Sequence, residues 1–599
     1  MQNKNKLICT LLLIGGCIGS ISSCSSREDG GTTEPDGKIV LNISPNIIED
    51  EIITLANTET KSGSSVLQNS VITKEQMSYG NDFDALVEIT ASSGKLSNAA
   101  ASLDNKAIAA ANPRMGNGIS YVVRIFQDNA GSRGAQIGSD YTFTVGGTPP
   151  KITVDGGTKY QWYAFSSNEA TVPATMIAAG KSVIDAPVSS NKDILYASGT
   201  ISTVSGNNYL DINFKHMTTR IDVNIDSKGM FVPMSGNSDA TANIGTYNGT
   251  TFTGIITQQT FDLGTGSFYG GAAPIQSDKA LDSQVYSSKV VSFYSSSGVF
   301  IPSGNTLKVK LTNMEFREFN NVLHKFNRVS YVTLPQSSSK LLGTNFKYNV
   351  NVRLIQSAVN VGGVLWARND ISYEGSNSYN VPNTRINGFD GFQPIGNLSP
   401  TTYYWSWNAL TNTGTPNSST YNSAQDPCVQ LYPVDTWRMP TELEAKTLTT
   451  RTPNNFRSGW VAYASFPNNA NFGVTFNHTA GANTPEYGSA RSELYIQYNG
   501  YRPVNYTPNE NSPYSNSITG WTYNAKSTPI SSYPDTVGMF WTKDPGAAAG
   551  TAKAFVWRAL FSNNGVENTA SFPAGNIQDI DKRTGLNIRC VRSVAAPNT

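Results

Sequence analysis

Short runs in which apolar and polar residues alternate recur along residues 38–356. They include "KIVLNI" (38–43), "YVVRIF" (121–126), "YTFTV" (141–145), "YQWYAF" (160–165), "YLDINF" (209–214), "RIDVNID" (220–226), "LKVKL" (307–311) and "FKYNVNVRL" (346–354). A period of two puts alternate side chains on opposite faces of a strand, and Gly, Asn and Ser between the runs supply turns. The pattern predicts antiparallel sheet with one buried face, and a mainly β chain. The length fits two β-sandwiches in series, residues 37–205 and 206–356, divided near residue 206.

The pattern changes at "DTWRMPTELEAKTL" (435–448), which reads as the start of a helix. Thr441 and Glu444 have the spacing of a capping box, in which the hydroxyl accepts a free backbone N–H and the carboxylate reaches back to the cap. Pro440 stops the preceding chain from being helical. Leu443 and Leu448 lie toward one side of the helix, expected over 441 to about 450. Tryptophan marks the same change of region: of nine, only Trp162 precedes residue 360. Residues 358–599 are therefore expected to form a third, α+β domain.

Charge is balanced, with 44 Lys+Arg against 43 Asp+Glu, which argues against nucleic acid as a partner. The N-terminus reads as an export signal, a basic "MQNKNK" before an apolar "LICTLLLIGGCIGSIS" too short for a stable membrane anchor. Small residues followed by Cys resemble the lipobox of bacterial lipoproteins, which implies cleavage and diacylation at Cys24 or, in "IGGC", at Cys17. An ordinary signal peptide is the alternative. Residues 1–24 are then the leader, 25–36 a polar tether, and the product an outer-membrane, surface-exposed lipoprotein. With Cys24 acylated, Cys428 and Cys590 remain, and in an oxidising compartment they suggest one disulfide, worth roughly 4 to 5 kcal/mol for so long a loop. Two buried thiols are the other reading.

The order "YVVRIFQDNAGSRGAQIGSDYTFTV", "KYQWYAFSSNEA", "DILYASGTISTVSGNNYLDINFKHMTTRIDVNID" resembles the Bacteroides-type fimbrillin (pilin) family over roughly residues 37–356. The resemblance implies two transthyretin-like β-sandwich domains and a lipoprotein precursor. It also implies assembly into a pilus by donor-strand exchange, in which a protease removes the first strand and a neighbouring fimbrillin subunit refills the groove. "KIVLNI" would be the removable strand. Cleavage would fall in the polar loop "NTETKSGSS" (57–65), with Lys61 the candidate for a trypsin-like protease. Arg27 is the rival site, although a cut there removes the lipid and not the strand. If no cleavage occurs, both are solvated loop charges.

From "VNVGGVLWARNDI" through "YYWSWNAL", "DPCVQLYPVDTWRMPTELEAKTL", "SELYIQYNGYR", "GMFWTKDPG" and "AFVWRALFS" to "GLNIRCVR", residues 358–594 resemble the Fibrobacter succinogenes major paralogous domain family. That implies a C-type-lectin-like fold in which first and last strands pair and a long loop region carries the ligand site. The capped helix would pack on the core, Cys428 and Cys590 would join the segment before it to the terminal strand, and Trp437 and Arg438 would be structural. The spacing from Cys428 to Trp437 is longer than the family pattern, and the usual Gly before the Trp is missing.

No enzyme signature is present. His216, His324 and His478 have no second ligand at helical or turn spacing, so no metal or cofactor is expected. The calcium-binding triplets of true C-type lectins are absent from residues 358–599. "NGYRPVNYTPNENSPYSNSITGWTYNAKS" is rich in Tyr, Asn and Ser, as binding loops are, with Tyr501, Tyr506, Tyr514, Trp521 and Tyr523 as candidate ligand contacts. A solvated insertion is the plain alternative. "DTV" fits a Bacteroides-type O-glycosylation sequon at Thr536. Three functions compete: a fimbrial tip adhesin for an unidentified host or bacterial surface ligand, glycans among the candidates, an anchored lipoprotein that never assembles, and a glycan-capturing accessory of a nutrient-uptake system.

Overall fold

The computed structural model describes residues 37–48, 70–71, 75–80, 83–91, 115–171, 186–187, 191–237, 239–275, 278–297, 304–317, 323–335, 347–373, 382, 384–386, 404–412, 414–416, 420–449, 455–457, 473–477, 493–497, 504, 535–560 and 576–593. The fold is mainly β, with one α-helix among these residues.

The first unit is an eight-stranded sheet. Its order runs Ser132–Gln136, Ser120–Asn129, Lys159–Ser166, Leu195–Ser202, Asn208–His216, β1 (Lys38–Ile48) and Ile152–Asp155, with Tyr141–Thr144 also paired to Ser120–Asn129. One face closes over a core that includes Ile39, Leu41, Tyr121, Val123, Ile125, Ile152, Ile212 and Phe214.

"YVVRIF" is buried on both faces, which is why it reads as a nearly continuous apolar run. Tyr121, Val123 and Ile125 enter the core. Val122 faces the other way, where it meets Phe165, Ile194, Tyr196 and, from a hairpin that joins Thr257–Asp262 to Ser267–Pro274, Phe261 and Leu263. The Tyr196 hydroxyl donates to the Leu263 carbonyl, and its ring lies edge-on to Phe261 at 5.2 Å.

The second unit is a sandwich. A six-stranded sheet carries Ser288–Ser295, Thr219–Gly229, Lys347–Gln356, Phe83–Ala91 and Ser70–Val71 in that order, with Gln76–Ser78 also on Phe83–Ala91. A five-stranded sheet is built around Thr241–Tyr247 and Thr306–Thr312. Strict alternation along "RIDVNID", "LKVKL" and "YNVNVRL" sends Ile221, Val223, Ile225, Val309, Val350 and Val352 into a single core between the sheets.

The expected division at residue 206 differs from this arrangement in two places. Asn208–His216 still belongs to the first sheet, so the crossing falls at Met217 and Thr218. Phe83–Ala91 crosses early and pairs with Lys347–Gln356 in the second sandwich. Alternation records which face of a strand is buried, and Phe83–Ala91 finds that face in the second core: Phe83, Ala85, Val87 and Ile89 all enter it.

Candidate functional site

Two places concentrate chemistry that ordinary sandwich packing does not require. The first is the seat of β1. Lys38 to Ser44 alternate out and in, with Ile39 at 5% and Leu41 at 3% exposure pointing to the core and Ile43 partly buried against it. β1 lies between two partners. It runs parallel to Asn208–His216, from Leu41 opposite Asn208 to Ile48 opposite Lys215. On its other side it is antiparallel to Ile152–Asp155, from Lys38 opposite Asp155 to Leu41 opposite Ile152. That second partner ends at Leu41, so Pro45 falls where one side of the strand is an edge, the position in a sheet that tolerates a missing N–H.

A groove vacated by β1 would have Ile152, Val154, Leu210, Ile212 and Phe214 along its walls and floor, all buried now, and two open ladders at its rims. Burying Ile39 and Leu41 contributes about 1.5–3 kcal/mol each. Lys61 lies outside the described residues, as do Arg27, Cys17 and Cys24.

The second place is the C-terminal unit. Trp366, Trp405, Trp407, Trp437, Trp541 and Trp557 are all buried. Trp407 Nε1 donates to the Thr542 carbonyl and Trp541 Nε1 to the Trp405 carbonyl, each at 2.8 Å. Cys428 and Cys590 are joined by a disulfide. The first strands and the last one pair: Trp366 lies opposite Val591, and Val591 and Arg592 lie opposite Arg438 and Trp437.

The helix, α1 (Glu442–Thr449), is capped as its sequence predicts. Glu444 N–H donates to Thr441 Oγ1 at 3.0 Å, and Thr441 N–H donates to Glu444 Oε2 at 2.7 Å. Ala445 and Leu448 pack into the core. Leu443 does not join Leu448: it is 76% exposed, because it sits one position after the first helical residue and faces solvent. Arg438 grips Glu444 with both ends of its guanidinium, at 2.6 and 2.7 Å. Burial pushes the Glu444 carboxyl up, but Arg438 and the Thr441 N–H together outweigh it and hold it below its ordinary value.

The loop from Cys428 to Trp437 is organised by Asp426. Its carboxylate accepts Cys428 N–H and Met439 N–H at 2.8 Å and the Tyr421 hydroxyl at 2.6 Å. Burial raises its pKa. Tyr432 reaches out of this loop, and its hydroxyl donates to Asp226 of the second sandwich at 2.6 Å. The loop backs onto Gly229, where a Cβ would stand 2.5 Å from the Leu354 carbonyl oxygen and 3.1 Å from that of Tyr432.

Arg592 closes the junction. It lies over the Trp437 ring at 3.9 Å, pairs with Asp84 at 2.7 Å and donates to the Gln356 carbonyl at 2.7 Å. Both charges are buried. Burial pushes the Asp84 carboxyl up and the Arg592 guanidinium down, and their mutual attraction opposes both shifts. Nothing in a window around either residue announces this pair, because 508 positions separate them. A second buried pair, Arg589 with Asp370 at 2.7 Å, lies in the same unit.

The remaining candidates are placed as follows. His216 Nδ1 lies 2.9 Å from Asp193, and His324 is a buried strand residue. Thr536 is in the backbone of strand Asp535–Pro545, with its side chain outside the described residues. Tyr501, Tyr506, Tyr514, Trp521, Tyr523 and His478 are also outside them. Among the described residues no group of three or more His, Cys, Asp or Glu is placed to hold a metal ion, and no helix is long and apolar enough to cross a membrane.

Comparison with known proteins gives a class for part of the chain. Residues 117–364 match the fimbrillin-like family, a span that covers most of the first sheet and the second sandwich. Among solved structures, a candidate cell adhesion protein from Bacteroides fragilis is 10% identical, with 59% of this chain and 99% of that one covered and a TM-score of 0.29. A second candidate cell adhesion protein, from Bacteroides ovatus, is 14% identical over 52% of this chain and 91% of that one, with a TM-score of 0.24. A fimbrial anchor protein from Porphyromonas gingivalis is 14% identical over 34% and 73%, with a TM-score of 0.16. No curated protein matches the chain.

Proposed function

We propose that the chain is the tip adhesin of a Bacteroides-type pilus: a first sandwich that accepts a strand, a second sandwich, and a C-type-lectin-like adhesive head. It is exported as a lipoprotein acylated at Cys24. A protease cuts near Lys61, β1 leaves, and a strand from the neighbouring fimbrillin subunit takes its place. The observation that carries the reading is the seat of β1, a core-filling strand that pairs with Ile152–Asp155 over Lys38 to Leu41 and with Asn208–His216 over Leu41 to Ile48, and whose covalent continuation crosses into another sheet. One cut in the connection to residue 70 frees it from the rest of the chain. The fimbrillin-like match over residues 117–364 supports the same class.

The tip position is supported by the last described strand. Val591 is paired on both sides and Arg592 on one, and the strand is flanked by the disulfide at Cys590 and tied to the second sandwich by the buried Arg592–Asp84 pair. A strand so engaged is a poor donor to a further subunit. The incoming strand would run parallel to Asn208–His216 and present apolar residues at the alternate positions of Ile39, Leu41 and Ile43.

N-terminal sequencing of the protein from sheared surface fibres and, separately, from membranes tests this. A fibre form starting shortly after residue 57 beside a membrane form starting at residue 24 is the expected result. If only the membrane form exists and shearing releases none, the chain is an anchored surface lipoprotein that captures ligands, glycans among them, without assembling.

A further inference from the structure

The units are also joined through strands that follow one another closely in the chain. Asn208–His216, which flanks the seat of β1, is followed after Met217 and Thr218 by Thr219–Gly229, an inner strand of the second sandwich. That strand pairs in parallel with Lys347–Gln356, from Arg220 opposite Lys347 to Gly229 opposite Ile355. Lys347–Gln356 is followed after Ser357 and Ala358 by Val359–Val361, the first strand of the C-terminal unit. Neither connection is a free hinge. Met217 N–H donates to the Ile194 carbonyl at 2.8 Å. Thr218, Ser357 and Ala358 are buried, and Arg368 donates to the Ser357 carbonyl and hydroxyl, both at 3.0 Å.

We propose that the parallel ladder between Thr219–Gly229 and Lys347–Gln356 is a mechanical clamp that carries tension between the first sheet and the C-terminal unit. Force from the first sheet enters Thr219–Gly229 at its N-terminal end. Force from the C-terminal unit enters Lys347–Gln356 at its C-terminal end. Because the strands are parallel, these pulls point in opposite directions along the strand axes. The ladder is loaded in shear, and the regular rungs from Arg220 opposite Lys347 to Asp226 opposite Arg353, which precede a register shift before Gly229, share the load and fail together. A pull across the strands at one end would open them one at a time.

The clamp is braced. Ile221, Val223, Ile225, Val350, Val352 and Leu354 bury their side chains in one core. Asn224 Nδ2 donates to Asn351 Oδ1 across the pair at 2.9 Å. Ser288–Ser295 flanks one side and Phe83–Ala91 the other. That the clamp bears load on a cell rests on the adhesin reading above; the clamp itself is a property of the isolated chain.

Single-molecule pulling on the full chain tests it, with one handle at Val204→Cys, in the exposed turn before Asn208–His216, and the other at Leu443→Cys on α1. A second version carries Asn224→Cys and Asn351→Cys, a facing pair that an oxidised disulfide can bridge. The expected result is a dominant high-force rupture in the first version and its loss when the bridge is closed, with circular dichroism unchanged. Forced unfolding reports the barrier and not the equilibrium stability, so a change of Tm alone does not mimic this outcome. A high-force event that persists with the bridge closed, or no high-force event in the unbridged chain, overturns the clamp. Neither result bears on whether β1 is removed, which the N-terminal sequences decide separately.

Discussion

The second sandwich and the C-terminal unit solve the same problem by different means. The sandwich has long ladders in unbroken alternation, with aliphatic side chains filling one core. The C-terminal unit has one long hairpin, Asp535–Pro545 with Thr551–Leu560, beside strands as short as Val364–Trp366, Trp437–Arg438 and Val591–Arg592, and adds large indoles, a disulfide, a buried Arg589–Asp370 pair and the Arg592–Asp84 pair at its junction with the sandwich. Short ladders leave backbone and loops without regular partners, and side chains such as Asp426 take over that role. Stability in the sandwich is therefore spread over many similar contacts, and in the C-terminal unit it is concentrated in a few.

That contrast can be broken most sharply at the covalent tie. Replacing Cys428 and Cys590 together by Ala is expected to destabilise the C-terminal unit by about 5 kcal/mol, since the closed loop spans 162 residues. Differential scanning calorimetry should show one transition fall while the sandwich transition holds. Arg592→Met comes next, at about 3–5 kcal/mol, because Asp84 is left buried and unpaired. Chemical denaturation should show Arg592→Met together with Asp84→Leu recovering most of that loss. The sandwich should respond to a single deletion more modestly: Leu354→Ala is expected to cost about 2–3 kcal/mol, read from the denaturation midpoint.

Smaller effects refine the comparison at α1. Thr441→Ala removes the cap and should cost about 1 kcal/mol. Glu442→Gln removes an exposed ion pair with Lys446 and should cost about 0.3–0.5 kcal/mol. The cap is also the pH-sensitive part. Glu444 is held below its ordinary value, so its contribution is present at neutral pH and lost as acid protonates the carboxylate. Stability of the wild-type chain should fall more steeply below pH of about 4.5 than that of Glu444→Gln, as measured by urea midpoints across that range.

Local signals in the chain were enough for local structure. Period-two alternation located β1, Lys159–Ser166, Thr219–Gly229 and Lys347–Gln356, because burial of one face is written in the side chains themselves. The Thr441 and Glu444 spacing fixed the start of α1, since cap and backbone lie within one turn. The expected removal of a leader ending at Cys24 leaves Cys428 and Cys590 to pair, and these two are joined by the disulfide. Partner choice was not legible in the same way. Every strand offers the same N–H and C=O groups, so nothing in "FDALVEITA" says that it belongs beside Lys347–Gln356 rather than in the first sheet. "KIVLNI" likewise does not name Ile152–Asp155 and Asn208–His216 as its neighbours. Asp84 and Arg592 each read as an ordinary charge until the fold removes both from water at one point. The sequence by itself determined which face of each strand is apolar and where α1 begins. Tertiary structure alone decided which strands meet, because that choice depends on shape and burial shared between residues hundreds of positions apart.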